Sequence, residues 1–324
     1  MRAEDRHRYA IPAEKRSLPK VTASSMEDAA GRISVLRGER LVPLLSSAPG
    51  QNPIEQPWTG VLLERHLVKP SEIPTHEHPN LCLHLQISGH DKFEWWADGK
   101  NSVEPTEPGS LILVPPGTRD RLRWQGTSER LVLEIDQTHL NQFGYQLGAV
   151  RTPEFKGSWS LSAPALRNVM SEMGREAHAG WPLGALYADL LVTTLQTQLL
   201  QYHSIAPVPI IAARGRLSRR KVRQVMEYMN ARMSENIRLA ELSEQAQLSP
   251  SHFAHEFRNT TGQSPYQYLL AQRIARAKVL LKTTRWPVQN ICGMVGFSSP
   301  VNFVRAFRQR VGETPEAWRR RSQR

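Results

Sequence analysis

The amino-acid sequence predicts an α+β protein with a β-rich N-terminal domain and an all-helical C-terminal domain. Three observations carry this prediction. Apolar and polar residues alternate with a period of two between about residues 58 and 136, as they do in half-buried strands. After Pro153 the apolar residues recur at helical spacing. Finally, residues 239–324 contain one short helical pattern twice.

The strand prediction comes from alternation and from turn signals. In one segment Leu81, Leu83, Leu85 and Ile87 alternate with Cys82, His84, Gln86 and Ser88. Residues 93–96 lead into Asp98-Gly99, which is a hairpin signal, and residues 111–114 end at Pro115-Pro-Gly117. Several short strands separated by turns are typical of a sandwich or a barrel.

Two helices are predicted next, Leu161–His178 and Leu183–His203. The broad leucine stripe of the second is more typical of packing against a domain than of a coiled coil. Residues 204–216 contain two prolines and a glycine and are a predicted linker. Ser218 then caps a helix that has on one face, as core filling, Val222, Val225, Met226, Met229 and Met233. The predicted domains are therefore 21–203 and 217–324.

The duplicated unit is a short apolar helix, a tight turn and a second helix. The pairs Phe253/Phe303, Phe257/Phe307, Gly262/Gly312 and Pro265/Pro315 are 50 residues apart, whereas Leu242/Ile291 and Leu248/Phe297 are 49 apart. Turns fall at Gln247-Leu248 and Gly296-Phe297, and serine followed by proline opens each second helix. At about 100° per residue the phenylalanines of each second helix face inward. The predicted outward residues are Ser251, His255 and Arg258, with His252 at the edge, and Val301, Arg305 and Arg308, with Asn302 at the edge.

The charge distribution separates the two domains. Residues 212–324 contain 21 Lys and Arg against 7 Asp and Glu, a net charge of +14, whereas the rest of the chain has a net charge of −2. Concentrated positive charge favours binding to nucleic-acid phosphates. A membrane surface is the weaker alternative, because it requires exposed aromatic residues that are needed here for the helical cores. For a single unit, an ordinary packed helical hairpin is the alternative.

Residues 239–319 resemble the AraC/XylS DNA-binding domain. The resemblance includes the stretch Tyr268–Leu281 between the units and the ending Gly312-Glu-Thr-Pro315. It implies seven helices, two helix-turn-helix units joined by a long helix, and recognition helices in successive major grooves. Gln247 departs from the usual turn glycine, and Trp318 from the usual tyrosine.

The resemblance also implies which residues contact DNA. By position, the base-reading candidates are Ser251, Ala254 and His255, then Pro300, Val301, Asn302, Val304 and Arg305, and Arg258 and Arg308 complete the predicted DNA-binding surface. Because the side chains of Ser251 and Ala254 are small, the first unit is expected to read sequence weakly. Asn302 suits adenine, and the guanidinium of Arg305 suits guanine.

Two motifs, His76-Glu-His78 and Gly109…Pro115-Pro-Gly117, resemble those of cupins over roughly 60 residues. The resemblance implies a cupin-like β-barrel or jelly roll, which is a common sensor domain of AraC-type regulators. The face that carries His76, His78, Cys82, His84 and Gln86 would line the interior. The candidate effector-binding residues are His76, His78, His84, Gln86 and Asp120.

The cupin metal-ligand set is incomplete. The usual glutamate position falls on Cys82 or Leu83, and Asp120 replaces the usual last histidine. His84 lies on the same face of the strand as the other candidates and is an alternative ligand. We therefore expect no metal, no cofactor and no catalytic residues. Solvated strand-end histidines or a polar effector pocket are the alternatives to a metal site.

The sequence as a whole predicts a transcription regulator. Its expected partners are double-stranded DNA, RNA polymerase and a small-molecule effector, and a homodimer formed through residues 161–203 is an open alternative to simple packing. Two cysteines exclude a disulfide scaffold, and no apolar stretch spans a membrane. Residues 1–20 are a predicted disordered basic arm, and a clamp on the sensor domain is the alternative. We expect a cytoplasmic protein without membrane contact. The rival functions are a cupin-type metal-dependent enzyme fused to a DNA-binding tail and a non-specific DNA binder.

Overall fold

The computed structural model describes residues 31–45, 57–147, 149, 151–207 and 217–323. The predicted arm 1–20 and most of the predicted linker lie outside these residues. The described part of the N-terminal domain has two antiparallel sheets, in the orders β2-β1-β4-β9-β6-β7 and β3-β10-β5-β8. Their strands are β1 Ser34–Arg37, β2 Arg40–Pro43, β3 Val61–Val68, β4 Ser71–Glu77, β5 Leu81–Gly89, β6 Asp91–Ala97, β7 Lys100–Thr106, β8 Leu111–Val114, β9 Arg119–Trp124 and β10 Ser128–Ile135.

The two faces of β5 belong to different cores, as the alternation predicts. Cys82 lies in a core that contains residues of both sheets, among them Phe93, Trp124 and Val132. Leu83 lies in another core, which the smaller sheet shares with helices of the same domain. The expected cupin-like arrangement is therefore confirmed, with the histidine face inside and the leucine face packed outside.

The turn signals are confirmed, but two elements were not predicted. Asp98 and Gly99 have φ of 50° and 71° between β6 and β7, and two left-handed residues in succession are typical of a type I′ hairpin. The β1–β2 hairpin was missed, although Gly38, with φ of 64°, marks its turn. Helix α1, Gln137–Gln146, was also missed; Asp136 caps it by accepting from the His139 amide.

Helices α2, Pro164–His178, and α3, Ala185–Gln198, correspond to the two helices predicted after Pro153. Each begins two or three residues later than predicted. The α3 chain continues as a π-helical turn over Leu199–His203. The leucine stripe of α3 packs partly against the N-terminal domain and partly against the C-terminal domain, because Leu195 belongs to the first core and Leu186 to a core of the second.

The described C-terminal residues form the seven helices that the resemblance implies. They are α4 Arg219–Ala231, α5 Leu239–Ala246, α6 Pro250–Thr261, α7 Pro265–Thr283, α8 Val288–Met294, α9 Pro300–Val311 and α10 Pro315–Ser322. Phe253 and Phe257 of α6 lie in one core, and Phe303 and Phe307 of α9 lie in another. Ser218 caps α4 as predicted, by accepting from the Lys221 amide. The long helix α7 contributes residues to both cores.

Candidate DNA-binding surface and barrel interior

Three of the candidate effector residues meet inside the barrel. His76 Nε2 lies 3.2 Å from His78 Nε2 and 3.2 Å from Asp120 Oδ1. His78 Nε2 lies 3.2 Å from Asp120 Oδ2. All three side chains are buried, so the alternative of solvated strand-end histidines is wrong. Burial lowers the pKa of His76, and the nearby Asp120 charge opposes that shift.

His84 lies on the same interior face but contacts a different partner. Its Nε2 lies 3.4 Å from Cys82 Sγ. Burial lowers the pKa of His84 well below its usual range, and His78 and Arg130 act in the same direction. Burial also raises the pKa of the Cys82 thiol well above its usual range. Both groups are therefore neutral near pH 7.

Gln86 binds a buried arginine that sequence reasoning missed. Arg130 Nη2 donates to Gln86 Oε1 at 3.1 Å and to Thr106 Oγ1 at 3.3 Å. Its guanidinium lies over the rings of Phe93 and Trp124. Burial lowers the pKa of Arg130 to about 10 while Asp91 opposes the shift, so the group stays charged. Arg130 alternates along β10 with the apolar residues that indicated the core-facing side of this strand. Its own inward position was therefore not recognised from the sequence.

Each unit of the C-terminal domain has the predicted turn. Gln247 adopts φ of 54° and ψ of 48°, and the equivalent Gly296 has φ of 84°. Pro250 and Pro300 occupy the first turns of α6 and α9, after Ser249 and Ser299. Neither serine makes a side-chain capping hydrogen bond, so proline and the local backbone alone mark these helix starts.

The turn of the second unit packs against the long helix α7. Arg273 Nε donates to the Met233 carbonyl at 2.8 Å, and Nη2 donates to the Glu235 carbonyl at 2.9 Å. A Cβ at position 296 would collide with the Met233 carbonyl and come within 2.8 Å of Arg273 Nη2. Glycine is therefore required at this turn by space as well as by its backbone conformation.

The outer face of α9 is open. Val301 is 67% exposed, Arg305 and Arg308 are exposed, and Asn302 and Val304 are half-buried. These positions agree with the predicted orientation of the second recognition helix. Burial raises the pKa of Glu176 in α2, and the hydrogen bond from the Leu183 amide and the charges of Arg175 and Arg305 oppose this shift.

The outer face of α6 is partly covered, and here one prediction is wrong. Ser251 was expected to face solvent but is only 7% exposed. Helix α3 of the N-terminal domain contacts α6. A cleft of about 520 Å³ lies between the two helices, lined by Ser251, Ala254, His255 and Arg258 on one side and Leu190 and Thr194 on the other. His255 and Arg258 themselves remain exposed.

Comparison with known proteins identifies this double unit. Residues 242–321 match the family profile described as a helix-turn-helix domain. The arabinose operon regulatory protein of Escherichia coli (strain K12) is 34% identical over 100 residues, which make up 31% of this chain and 34% of that protein. The C-terminal domain is an AraC-type helix-turn-helix domain. The chain thus covers about a third of the length of this relative.

Solved structures are similar to the AraC-type domain and to the longer chain. The DNA-binding domain of AdpA, a global transcriptional factor in complex with a target DNA, is 32% identical; the match covers 31% of this chain and 90% of that one, with a TM-score of 0.30. A structure of apo ToxT from Vibrio cholerae strain SCE256 is 12% identical and covers 82% of this chain and 98% of its own, with a TM-score of 0.34.

The AraC-type domain is joined to α3 by polar as well as apolar contacts. Asp189 Oδ2 accepts from the Leu239 amide at 3.1 Å, at the N-terminus of α5, and Asp189 Oδ1 lies 3.3 Å from Arg238 Nη2. The Tyr187 and Tyr266 rings pack at 4.8 Å. A carboxylate at a helix N-terminus satisfies a free amide and interacts favourably with the helix dipole. Asp189, a residue of the N-terminal domain, therefore caps α5, the first helix of the first unit.

A second cleft, of about 940 Å³, lies between the two domains. Its lining includes Arg32 and Arg65 of the N-terminal domain, Trp181 of the α2–α3 connection, and Arg238 and Arg273 of the AraC-type domain. None of the five candidate effector residues lines either cleft. Within the described part of the chain, no helix is both long and apolar enough to cross a membrane.

Proposed function

We propose that the chain is a transcription regulator that binds double-stranded DNA in a sequence-specific manner. The observation that carries this proposal is the open outer face of α9, with Asn302, Arg305 and Arg308 on one side of a domain whose segment has a net charge of +14. An α-helix fits the major groove of B-DNA. The dimensions of α9 and the side chains on its outer face suit contacts to base edges and to phosphates together.

The roles of the residues follow from their side chains. The amide of Asn302 can pair with both N6 and N7 of adenine, and the fork of Arg305 can pair with O6 and N7 of guanine. Arg258 lies one helical turn after His255, and Arg308 lies one helical turn after Arg305. Both arginines suit phosphate contacts. Because Ser251 is buried and Ala254 has no polar group, His255 is the principal base-reading candidate of α6. Sequence preference should therefore reside mainly in the second unit.

The N-terminal domain is proposed to regulate DNA binding as a small-molecule sensor. Helix α3 lies along the outer face of α6, where DNA would also lie, so the two compete for that face. An effector bound in the 940 Å³ cleft would contact both domains. It would therefore change the stability of the docked arrangement of the domains relative to the undocked one. Arg32, Arg65 and Arg238 line this cleft paired with Glu64, Glu129 and Asp189, so an effector would meet both signs of charge there. RNA polymerase contact and homodimer formation remain expectations of this proposal.

The regulator is favoured over the two rival functions. The arabinose operon regulatory protein, which is similar to the AraC-type domain, is a regulatory protein by name, and a cupin-type enzyme needs a site that substrate can reach. The buried cluster of His76, His78 and Asp120 lines neither of the two clefts. A non-specific binder would not need Asn302 and Arg305 at base-reading positions.

The experiment is selection of bound sites from random DNA by the full chain, followed by competition with unrelated DNA. The proposal requires a consensus that survives excess competitor. Affinity without a consensus would favour the non-specific binder instead. Repeating the selected binding reaction at several salt concentrations counts the phosphate contacts, because log affinity falls by about 0.9 per contact for each decade of salt.

A further inference from the structure

We propose that His76, His78 and Asp120 bind one divalent first-row transition-metal ion inside the barrel. The sequence led to the opposite expectation, because Asp120 replaces a histidine of the cupin pattern. The structure supports the site because the carboxylate of Asp120 lies where the third donor is needed. The three donor groups lie within 4.8 Å of one another and are all buried. This inference does not depend on the proposed DNA-binding function.

The distances between the donor atoms suit a common ion. Zinc and similar ions bind imidazole nitrogen and carboxylate oxygen at about 2.0 to 2.2 Å. Two such ligands of one ion, at tetrahedral or octahedral angles, are then about 2.9 to 3.4 Å apart. The three nitrogen–nitrogen and nitrogen–oxygen separations in the cluster are each 3.2 Å. The donors are thus already spaced as ligands.

The ring of His76 is oriented with Nε2 towards the other two donors. His76 Nδ1 lies 3.0 Å from the carbonyl oxygen of Pro74, and a carbonyl can only accept, so Nδ1 carries the proton. His76 Nε2 lies on the other side of the ring, 3.2 Å from both His78 Nε2 and Asp120 Oδ1. Both oxygens of Asp120 are buried, and each lies 3.2 Å from a histidine Nε2 without forming a hydrogen bond of good geometry. Histidine ligands of metal ions are commonly fixed by such a hydrogen bond from the other ring nitrogen.

The cluster is held on paired strands. His76 and Asp120 are direct cross-strand partners in β4 and β9. The His78 amide donates to the Thr118 carbonyl at 3.0 Å, and its carbonyl accepts from the Gly117 amide at 2.7 Å. The turn before β9 therefore fixes His78 against the strand that carries Asp120. Little conformational entropy would be lost when an ion binds.

The donor set selects the class of ion. Two imidazoles and one carboxylate suit Zn²⁺ and Fe²⁺, whereas Mg²⁺ and Ca²⁺ prefer oxygen ligands alone. All three donors are buried, with Asp120 only 1% exposed, and an ion bound to them would link β4 to β9 with its remaining coordination positions free of protein ligands.

The test uses the purified full chain. After removal of bound metals by dialysis against a chelator, the protein is titrated with Co²⁺, whose visible absorption reports coordination, and the bound ion is then displaced with Zn²⁺. We expect one Co²⁺ per chain, release of Co²⁺ by Zn²⁺, and a higher Tm in the loaded protein. His78→Gln and Asp120→Asn should each weaken Co²⁺ binding at least tenfold. Elemental analysis of the protein as purified provides an independent count.

The matched control is His66→Gln. His66 is also a buried barrel histidine, but its Nε2 is hydrogen-bonded to Glu64 at 2.7 Å, outside the cluster. The His66→Gln protein should bind Co²⁺ as the wild type does. Absence of stoichiometric binding by the wild type would overturn the proposal, as would equal loss of binding in His66→Gln and Asp120→Asn. If a variant fails to fold by circular dichroism, the wild-type stoichiometry and the zinc displacement decide the question.

Discussion

The guanidinium of Arg273 lies so close to Gly296 that a Cβ on residue 296 would come within 2.8 Å of Nη2. The same turn position in the first unit holds Gln247, which adopts the left-handed conformation with a full side chain. The two copies therefore share a backbone geometry but differ in the space around it. Three substitutions separate these effects.

Gly296→Ala should destabilise the AraC-type domain by at least about 2 kcal/mol, because left-handed strain and collision with the Met233 carbonyl add together. Gly262 is the control. It has φ of 78°, and a Cβ there would meet nothing within 4 Å, so Gly262→Ala should cost only about 1 kcal/mol. Urea unfolding measures both. Equal losses would mean that the packing around Arg273 adjusts without cost.

Gln247→Gly should stabilise the domain by about 0.5 to 1 kcal/mol. Glycine removes the left-handed strain, although it also gains entropy in the unfolded chain. Thermal melts and urea unfolding of the full chain provide the measurement. A clear loss of stability would show that the Gln247 side chain makes contacts worth more than the strain.

The AraC-type domain should fold and bind DNA by itself. A fragment that begins at about Ala212 retains the net charge of +14 and loses the α3 helix that covers α6. We therefore expect a helical circular dichroism spectrum, cooperative melting, and an affinity for selected DNA at least equal to that of the full chain. Weaker binding by a folded fragment would contradict the proposed competition between α3 and DNA.

Within the full chain, Asp189→Ala tests the same competition. The substitution removes the cap on α5 and the ion pair with Arg238, so α3 should leave α6 more easily. DNA affinity should rise while Tm falls. Asp189→Asn retains an acceptor for the Leu239 amide and should show a smaller effect. Unchanged DNA affinity in a folded Asp189→Ala protein would show that α3 does not restrict binding.

The barrel should lose stability as the pH rises from about 4.5 to about 7. Burial raises the pKa of Glu134 to about 7, with Glu64 and Asp136 acting in the same direction against the hydrogen bond from Asn80. From its ordinary value of 4.5 up to about 7, the folded state binds more protons than the unfolded state. The stability from this group is thus complete below pH 4.5 and is lost as the pH rises towards 7.

Glu134→Gln should remove this part of the pH dependence. Because one pKa unit corresponds to about 1.4 kcal/mol, the stability of the wild type relative to the variant should fall by up to about 3 kcal/mol between pH 4.5 and pH 8. Urea unfolding of both proteins at several pH values measures the difference. Parallel curves for the two proteins would show that Glu134 titrates normally.

Local patterns predicted much of this fold. Alternation assigned the two faces of β5, and Asp98-Gly99 marked the β6–β7 hairpin. The repeat placed α6 and α9 with their phenylalanines inside. Each of these depends on a few neighbouring residues. The β1–β2 hairpin and α1 were missed because they are short, and their apolar residues are too few to establish a period.

The tertiary contacts of the site were less accessible to sequence reasoning. Ser251 has the correct helical position for an outward residue, but it is buried in a region where α3, from another part of the chain, contacts α6. Asp120 could be read as the loss of a metal ligand until its pairing with His76 was known. The buried Arg130 was likewise hidden, because its partners Gln86 and Thr106 lie on other strands.

The central claim is that α9 reads base sequence, and selection from random DNA by wild type, Arg305→Ala and Arg305→Lys tests it most directly. Lysine keeps the charge but not the fork that pairs with guanine. Both variants should lose preference at one base pair, worth about 1 to 3 kcal/mol, whereas His255→Ala should change the consensus less. An unchanged consensus for Arg305→Ala, with uniformly lower affinity and a salt slope smaller by about one, would contradict the claim.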